Sequence, residues 1–464
     1  RFPFLLRMEK LLELLRSDVS TDEKVDKINQ FNDDNKSNFT FINKTGDEEK
    51  KQNLLVCLLE LLASASPADS LVILRAIRLL GRDPFALEPL KEEKYLRTIV
   101  EKSQLGTDFS DSDANESGME ACKCLVNVCV QNIKNPEVFD LFYDPLNLPD
   151  LCIDAFQRED LPDGFYFPLL RFYLQYSGRH EKTQELSRKR NLLIELFRIV
   201  EKHAGRYEEE EARLALLDAL SLTFVFSQHL GPLEGQKEPT SEELEGFKRI
   251  IPILQKFLAL PIDNSKTQEI VSGAIKVMIN VPAACTDDFE HEKTLRDLLG
   301  FLVMKLQACE VEDNISPADL TPVLLILTSI SKAVPASRVI IKDTLLPGWR
   351  DFEPQKNMVD PPKQLEDKST IGYKLLYCMT CSNPGLYHYS SELLFNLCDE
   401  DGDEFVRIVG IGKGAGILAN RGLLANFASK MNRPTIPQNV TEEDVKEWQS
   451  LMERLEKYNK GQGQ

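Results

Sequence analysis

Apolar residues recur three and four apart along almost the whole of this chain, and they rarely alternate. That spacing is the period of an α-helix with one buried face. It predicts helices over 52–63 (QNLLVCLLELLA), 70–81 (SLVILRAIRLLG), 119–130 (MEACKCLVNVCV), 191–203, 210–226, 268–281, 293–307, 319–334 and 391–398. Pro67, Pro84, Pro136, Pro162, Pro232, Pro261, Pro282, Pro347 and Pro384 punctuate the series. Proline breaks a helix because it lacks the amide hydrogen and clashes with the preceding turn. Thr240 with Glu243, and Thr441 with Asp444, stand three apart before apolar runs, as capping residues do. The best alternating run, FVRIV at 405–409, reads as a short strand.

A weak repeat runs through these helices. Segments 121–128 (ACKCLVNV) and 274–281 (AIKVMINV) share Ala, Lys, Asn and the final Val. The same register fits 169–176 (LLRFYLQY), 215–222 (ALLDALSL) and 390–397 (SSELLFNL), and more loosely 72–79 (VILRAIRL). It places one polar residue at a repeated position: Arg78, Asn127, Gln175, Ser221, Asn280 and Asn396, with a further member expected near Ser329. Helix pairs that bury their apolar faces only against neighbours form a solenoid. The expected fold is therefore all-α, an armadillo/HEAT-like superhelical solenoid over 8–428, with a linker and C-terminal helix in 429–464. Residues 1–7 read as an upstream extension before Met8. The repeated polar position would line one concave groove. An amide there both donates to and accepts from a bound backbone. The alternative is that it satisfies the solenoid's own carbonyls.

Cations follow the same register. Arg75, Arg78 and Arg82 fall at i, i+3 and i+7, opposite an apolar face of Ile73, Ala76, Ile77 and Leu80. Lys123 with Asn127, Arg171 with Gln175, and Lys276 with Asn280 repeat a basic-then-amide pair. In a chain of net charge -18, aligned guanidinium groups are a candidate seat for a carboxylate. Solvated surface, with internal partners such as Asp83, is the competing reading. The acidic balance argues against nucleic-acid binding, which needs net positive surface. No window approaches the roughly 18 uninterrupted apolar residues of a membrane span. The ten cysteines lack framework spacing, so reduced, buried thiols in the cytosol are expected, Cys122, Cys124 and Cys129 among them.

Signals for chemistry are thin. Asp399, Asp401 and Asp403 occupy calcium-loop places, but Glu404 stands where Gly is needed and Gly410 where Glu is needed. Cys378, Cys381, His388 and Cys398 lack the second tight pair of a structural zinc site. The stretch GIGKGAGILANRGLLA at 410–425 suggests a dinucleotide turn, yet its third glycine place is Ala415 and no acid follows about 20 residues on. It reads better as a tight connection that glycine permits. No metal, cofactor, direct nucleotide binding or catalysis is expected.

Four segments together resemble the synembryn family: NFTF at 38–41, AIRLLGRD at 76–83, EACKCLVNV at 120–128, and LLFNLCDEDGDEFVRIVGIGKGAGILANRGLLA at 393–425. These are Gα-subunit chaperones and non-receptor guanine nucleotide exchange factors. TEEDVKEWQSLMERLEKYNK at 441–460 looks like the family's C-terminal helix. The resemblance implies a concave face that grips the C-terminal helix and carboxylate of Gα, releasing GDP and holding nucleotide-free or nascent Gα. It implies a cytoplasmic or cell-cortex location. It carries over Arg78 and Arg82 in AIRLLGRD, Asn127 in CLVNV, and Phe167 in YFPLLRFYL. The family's acidic Ser/Thr-rich segment after this motif is replaced here by a short, weakly basic link at 425–441, so its phosphorylation is not carried over. Ser110, with Asp113 three residues on, is an acidic-context alternative. Two rival readings remain: a helical-repeat scaffold for an unrelated extended peptide, and a nucleotide-binding enzyme.

Overall fold

The computed structural model describes residues 2–36, 47–107, 109, 111–132, 135–231, 236–309, 316–353 and 358–427. NFTF, Ser110, the Thr441–Asp444 cap and the helix expected at 441–460 lie outside them. The chain divides into two compact units, Arg1–Asp297 and Leu298–Gln464.

The first unit contains α1 (Phe2–Arg16), α2 (Thr21–Asn35), α3 (Glu48–Ser64), α4 (Pro67–Leu80), α5 (Glu93–Lys102), α6 (Ser112–Gln131) and α7 (Pro136–Tyr143). It continues with α8 (Leu148–Gln157), α9 (Asp163–Ser177), α10 (Glu181–Lys189), α11 (Leu192–Ala204), α12 (Glu210–Ser227), α13 (Ser241–Leu258) and α14 (Ser265–Ile279). Then come α15 (His291–Ala308), α16 (Pro317–Ala333), α17 (Ser337–Leu345), α18 (Ile371–Cys378), α19 (Pro384–Leu397), α20 (Gly402–Val409) and α21 (Ile411–Asn420). No strand forms among the described residues; one isolated bridge joins Leu230 and Lys237.

Local chemistry sets the helix starts. Ser66 caps α4, its hydroxyl accepting from Asp69 N–H at 3.2 Å, with Pro67 in the first turn. Asp111 caps α6, Asn264 caps α14, and Thr240 with Glu243 forms the expected capping box on α13.

Packing in the first unit follows two series. Helices α4, α6, α9, α12 and α14 each pack on the next, forming one layer. Behind them, α3 packs on the 3₁₀ segment Pro84–Lys91 and on α5, and α11 packs on α13. Cross-packing of α3 on α4, α5 on α6, α11 on α12 and α13 on α14 ties the layers together. This nearest-neighbour stacking is an armadillo/HEAT-like helical solenoid. The sequence register identified the helices of one layer: Arg78, Gln175 and Ser221 lie on α4, α9 and α12, Asn127 on α6, and Asn280 caps α14. Small residues let α4 and α6 approach. Ala76, Ala121, Cys122 and Cys124 are buried, and the Cys124 thiol donates to Leu74 O at 3.3 Å. Each fully buried Leu or Ile in these layers contributes roughly 1.5–3 kcal/mol.

In the second unit α16 packs on α19, and α19 packs on α17, α18, α20 and α21. Here FVRIV departs from expectation. It lies in helix α20, with Phe405, Val406, Ile408 and Val409 buried. β-Branched residues disfavour helix only weakly, so burial of one apolar face decides the outcome. The acidic run before it is a turn and a cap. Asp399 and Glu400 adopt positive φ (55° and 58°), and Asp401 accepts from the N–H groups of Asp403 and Glu404 at 2.8 and 3.2 Å.

The Gly-rich stretch is also mostly helix. Gly410 connects α20 to α21, at φ 78° and ψ 151°, and Gly422 turns the chain after α21 at φ 69°; Gly412, Gly414 and Gly416 lie inside α21. The first four make room for a neighbour. A Cβ on Gly410 would stand 2.6 Å from Val359 O, and one on Gly412 2.9 Å from the same oxygen. A Cβ on Gly414 would stand 2.7 Å from the Phe405 ring, and one on Gly416 would collide with the Tyr387 hydroxyl. The N-terminal amides of α21 are occupied by the chain itself: Ile411 N–H donates to Met358 O at 2.9 Å and Gly412 N–H to Val359 O at 2.8 Å. Orphan amides that elsewhere cradle phosphate are capped here by backbone carbonyls. Gly410→Ala meets both a φ/ψ region that is nearly Gly-only and a backbone clash. Its expected cost is about 2 kcal/mol or more, read as a lower denaturation midpoint with unchanged m-value; an unshifted midpoint refutes this account.

Candidate functional site

The candidate residues lie on the layer α4–α6–α9–α12–α14, and neighbouring rungs are joined by acid–base pairs. Arg78 on α4 pairs through Nε with Glu120 on α6. Lys123, one turn along α6, stands 3.7 Å from the same carboxylate. Arg171 on α9 donates through Nε to Asp218 Oδ2 on α12 at 2.8 Å, and its guanidinium carbon lies 5.5 Å from the Phe167 ring centroid. Arg213 on α12 pairs with Glu269 on α14 at 3.2 Å.

Asp83, a candidate partner for the arginines, is engaged elsewhere. It is buried against Lys51 Nζ at 2.5 Å and caps the 3₁₀ segment through Phe85 N–H. Arg82 is half-buried beside Arg78; burial, then the Arg78 charge, lowers its pKa. Arg75 is exposed and Lys276 half-buried, and neither pairs with a described residue.

The amides of the ladder have a structural duty. Asn127 Nδ2 donates to Arg78 O at 3.0 Å, and Asn280 Nδ2 donates to Phe224 O at 2.9 Å and Ser227 Oγ at 3.1 Å. Gln131 repeats the contact one turn on, donating to Arg82 O at 3.2 Å. Arg78 and Phe224 lie in the last turn of α4 and α12, whose carbonyls have no helical partner. Each amide therefore caps the preceding helix of the layer, which is the internal alternative weighed from sequence. Gln175 instead accepts from Arg179 at 3.1 Å, and the Ser221 hydroxyl donates back to Leu217 O.

Sequence reasoning missed Glu120, Asp218 and Glu269. The signal was present for two of them: a lone acid inside an apolar stripe, as in ALLDALSL and MEACKCL. Asp218 is buried, and that burial raises its pKa to about 6 against the lowering effect of Arg171.

The cysteine group of the second unit is core. Cys378 and Cys398 are buried, which pushes each thiol up to about 12, and Cys381 donates to Cys378 O at 3.1 Å. No cluster of three metal-ligating side chains occurs among the described residues. None of their helices is long and apolar enough to cross a membrane.

The fold defines a helical-repeat protein of the armadillo/HEAT-like class. The family model described as guanine nucleotide exchange factor synembryn matches residues 73–459, and the chain belongs to that family. Chaperone Ric-8A of Xenopus laevis is 26% identical over 433 residues, covering 85% of this chain and 76% of that protein. Chaperone Ric-8B of Rattus norvegicus is 27% identical over 485 aligned residues, covering 90% and 88%. Among solved structures, the SYS-1/POP-1 crystal complex is similar at TM-score 0.49 and 14% identity, covering 81% of this chain and 62% of that one.

The burial of Asp218 makes stability pH-dependent in a definite direction. Its folded pKa, about 6, lies above the ordinary carboxylate value, so the folded state holds the proton more tightly. The favourable contribution is complete below about pH 4 and is lost as pH rises through about 6. Asp218→Asn removes this loss. Denaturant titrations should show the variant gaining on the wild type between pH 4 and 7; parallel curves over that range refute the assignment.

Proposed function

We propose that this chain binds Gα subunits on the α4–α6–α9–α12–α14 face, gripping their C-terminal helix and terminal carboxylate. It promotes GDP release and holds the nucleotide-free or nascent subunit, without covalent chemistry of its own. The observation that carries this reading is the family match, whose span of 73–459 contains every candidate residue from Arg75 to Asn280. Half-buried Val126, Phe167, Leu174, Leu217 and Phe224 lie among the cations, a mixture suited to an amphipathic helix ending in a carboxylate. The repeat region would span 8–428, and 429–464 would supply a linker and a helix against the Gα nucleotide-binding domain. The setting is the cytoplasm, including the cell cortex.

The physical mechanism is differential affinity. A face that binds the detached C-terminal helix better than the docked one shifts Gα toward its open, GDP-free state, by no more than the difference in binding free energy.

Arg75 and Lys276 are the cations to test, because their charges can be reversed without stranding a buried acid. The Arg75→Glu/Lys276→Glu variant should melt like the wild type. It should bind a peptide of the Gα C-terminal helix at least about tenfold more weakly, a loss of about 1.4 kcal/mol, and fail to accelerate GDP release from purified Gα. Full acceleration by the variant excludes this face. No acceleration by the wild type favours a scaffold for an unrelated peptide.

A further inference from the structure

Two arginines of the candidate face are held in the same way. Arg78 reaches Glu120, and Arg171 reaches Asp218, through Nε alone. In each pair the acid is buried, with 6% and 4% of its side chain exposed, while the arginine keeps 34% and 35%. Other arginines commit their terminal nitrogens to the protein. Arg190 binds Asp150 and Asp154 through NH1 and NH2, and Arg407 binds Glu404 and two backbone carbonyls with all three nitrogens. Arg249 also pairs through Nε alone, but its partner Glu201 is 31% exposed. The terminal nitrogens of Arg78 and Arg171 bond to no described residue.

A guanidinium held through Nε has its plane fixed while its end-on fork stays open. That fork matches a carboxylate with two parallel hydrogen bonds. At Arg171 the Phe167 ring lies near the same guanidinium and further restricts it. Burying a carboxylate can cost as much as a partly exposed arginine returns, so stability need not account for the arrangement at two rungs. Pre-orientation does, because an arginine already fixed loses less freedom when it binds.

Resting on the Gα reading above, we infer that Arg171 forms a second carboxylate seat, for an acidic side chain of the bound segment, with Asp218 as its positioning residue and Glu120 playing that part for Arg78. The bound segment is thus read at two carboxylates, one on α4 and one on α9.

Calorimetry on the full chain tests this with two synthetic peptides of a Gα C-terminal helix. One is native; the other has its acidic side chains changed to amides and its terminal carboxylate kept. Arg171→Gln should weaken the native peptide about tenfold and leave the amide peptide unchanged. Asp218→Ala should weaken the native peptide about fivefold, and Asp218→Asn should restore it to within about twofold, since the amide oxygen still accepts from Nε. A merely structural role predicts no such rescue and equal losses with both peptides. Equal losses, or an Asp218→Ala variant that binds like the wild type, overturn the inference and leave the Gα reading intact. Failure of the wild type to bind the native peptide removes the Gα reading, and the second seat with it.

Discussion

The last turn of an α-helix leaves four carbonyl oxygens without partners, and a stack of short helices multiplies that problem. The first unit answers it with side chains from the next helix. Asn127 and Gln131 reach back to Arg78 O and Arg82 O, and Asn280 reaches back to Phe224 O. Each contact satisfies a helix end and also sets the offset between neighbouring helices, so it fixes the register of the layer. The positions of Arg78, Arg171 and Lys276 depend on that register. In the second unit Arg338, from α17, does the same service for Ser331 O of α16 at 2.7 Å. There Asn396 is fully buried with neither amide atom bonded to a described residue.

The layer was readable from sequence because its amides recur for a geometric reason. Asn127 and Asn280, which reach the preceding helix end, sit at the same place on their rungs, while Gln175 and Ser221 share the register without that reach. The duty of the amides was harder to read. An Asn that caps a neighbour and an Asn that grips a peptide occupy the same position in a sequence, and only the location of Arg78 O separates them. The buried acids were missed for a related reason. Asp218 and Glu120 look like charges that should face water, and their depth depends on which helices cover them. FVRIV was misread because five residues do not distinguish a strand from a short helix, and its β-branched run favours strand on propensity alone.

The Gly-rich segment was half legible. Gly410 and Gly412 do mark a close approach of backbone to a helix N-terminus, as in a phosphate-binding turn. The approaching group is the chain's own 358–360 segment. Orphan amides at a helix start attract whatever acceptor lies nearest, and a carbonyl already tethered in place needs no ligand. A glycine pattern reports the close approach and is silent about what approaches.

On the proposed reading, an acidic chain of net charge -18 would receive a carboxylate against an unfavourable field at long range. At physiological ionic strength that field fades over about 8 Å, so contacts within a few ångström decide recognition. The buried acids then act in two directions. They cancel part of the charge on Arg78 and Arg171, which weakens nonspecific attraction to any anion. They also hold each guanidinium plane, which strengthens attraction to a group that presents two oxygens along one direction. Charge alone would attract anions indiscriminately; an arginine neutralised on one side and fixed in angle selects by shape. On that proposal, the carboxylates that weaken the attraction would be the ones that make it specific.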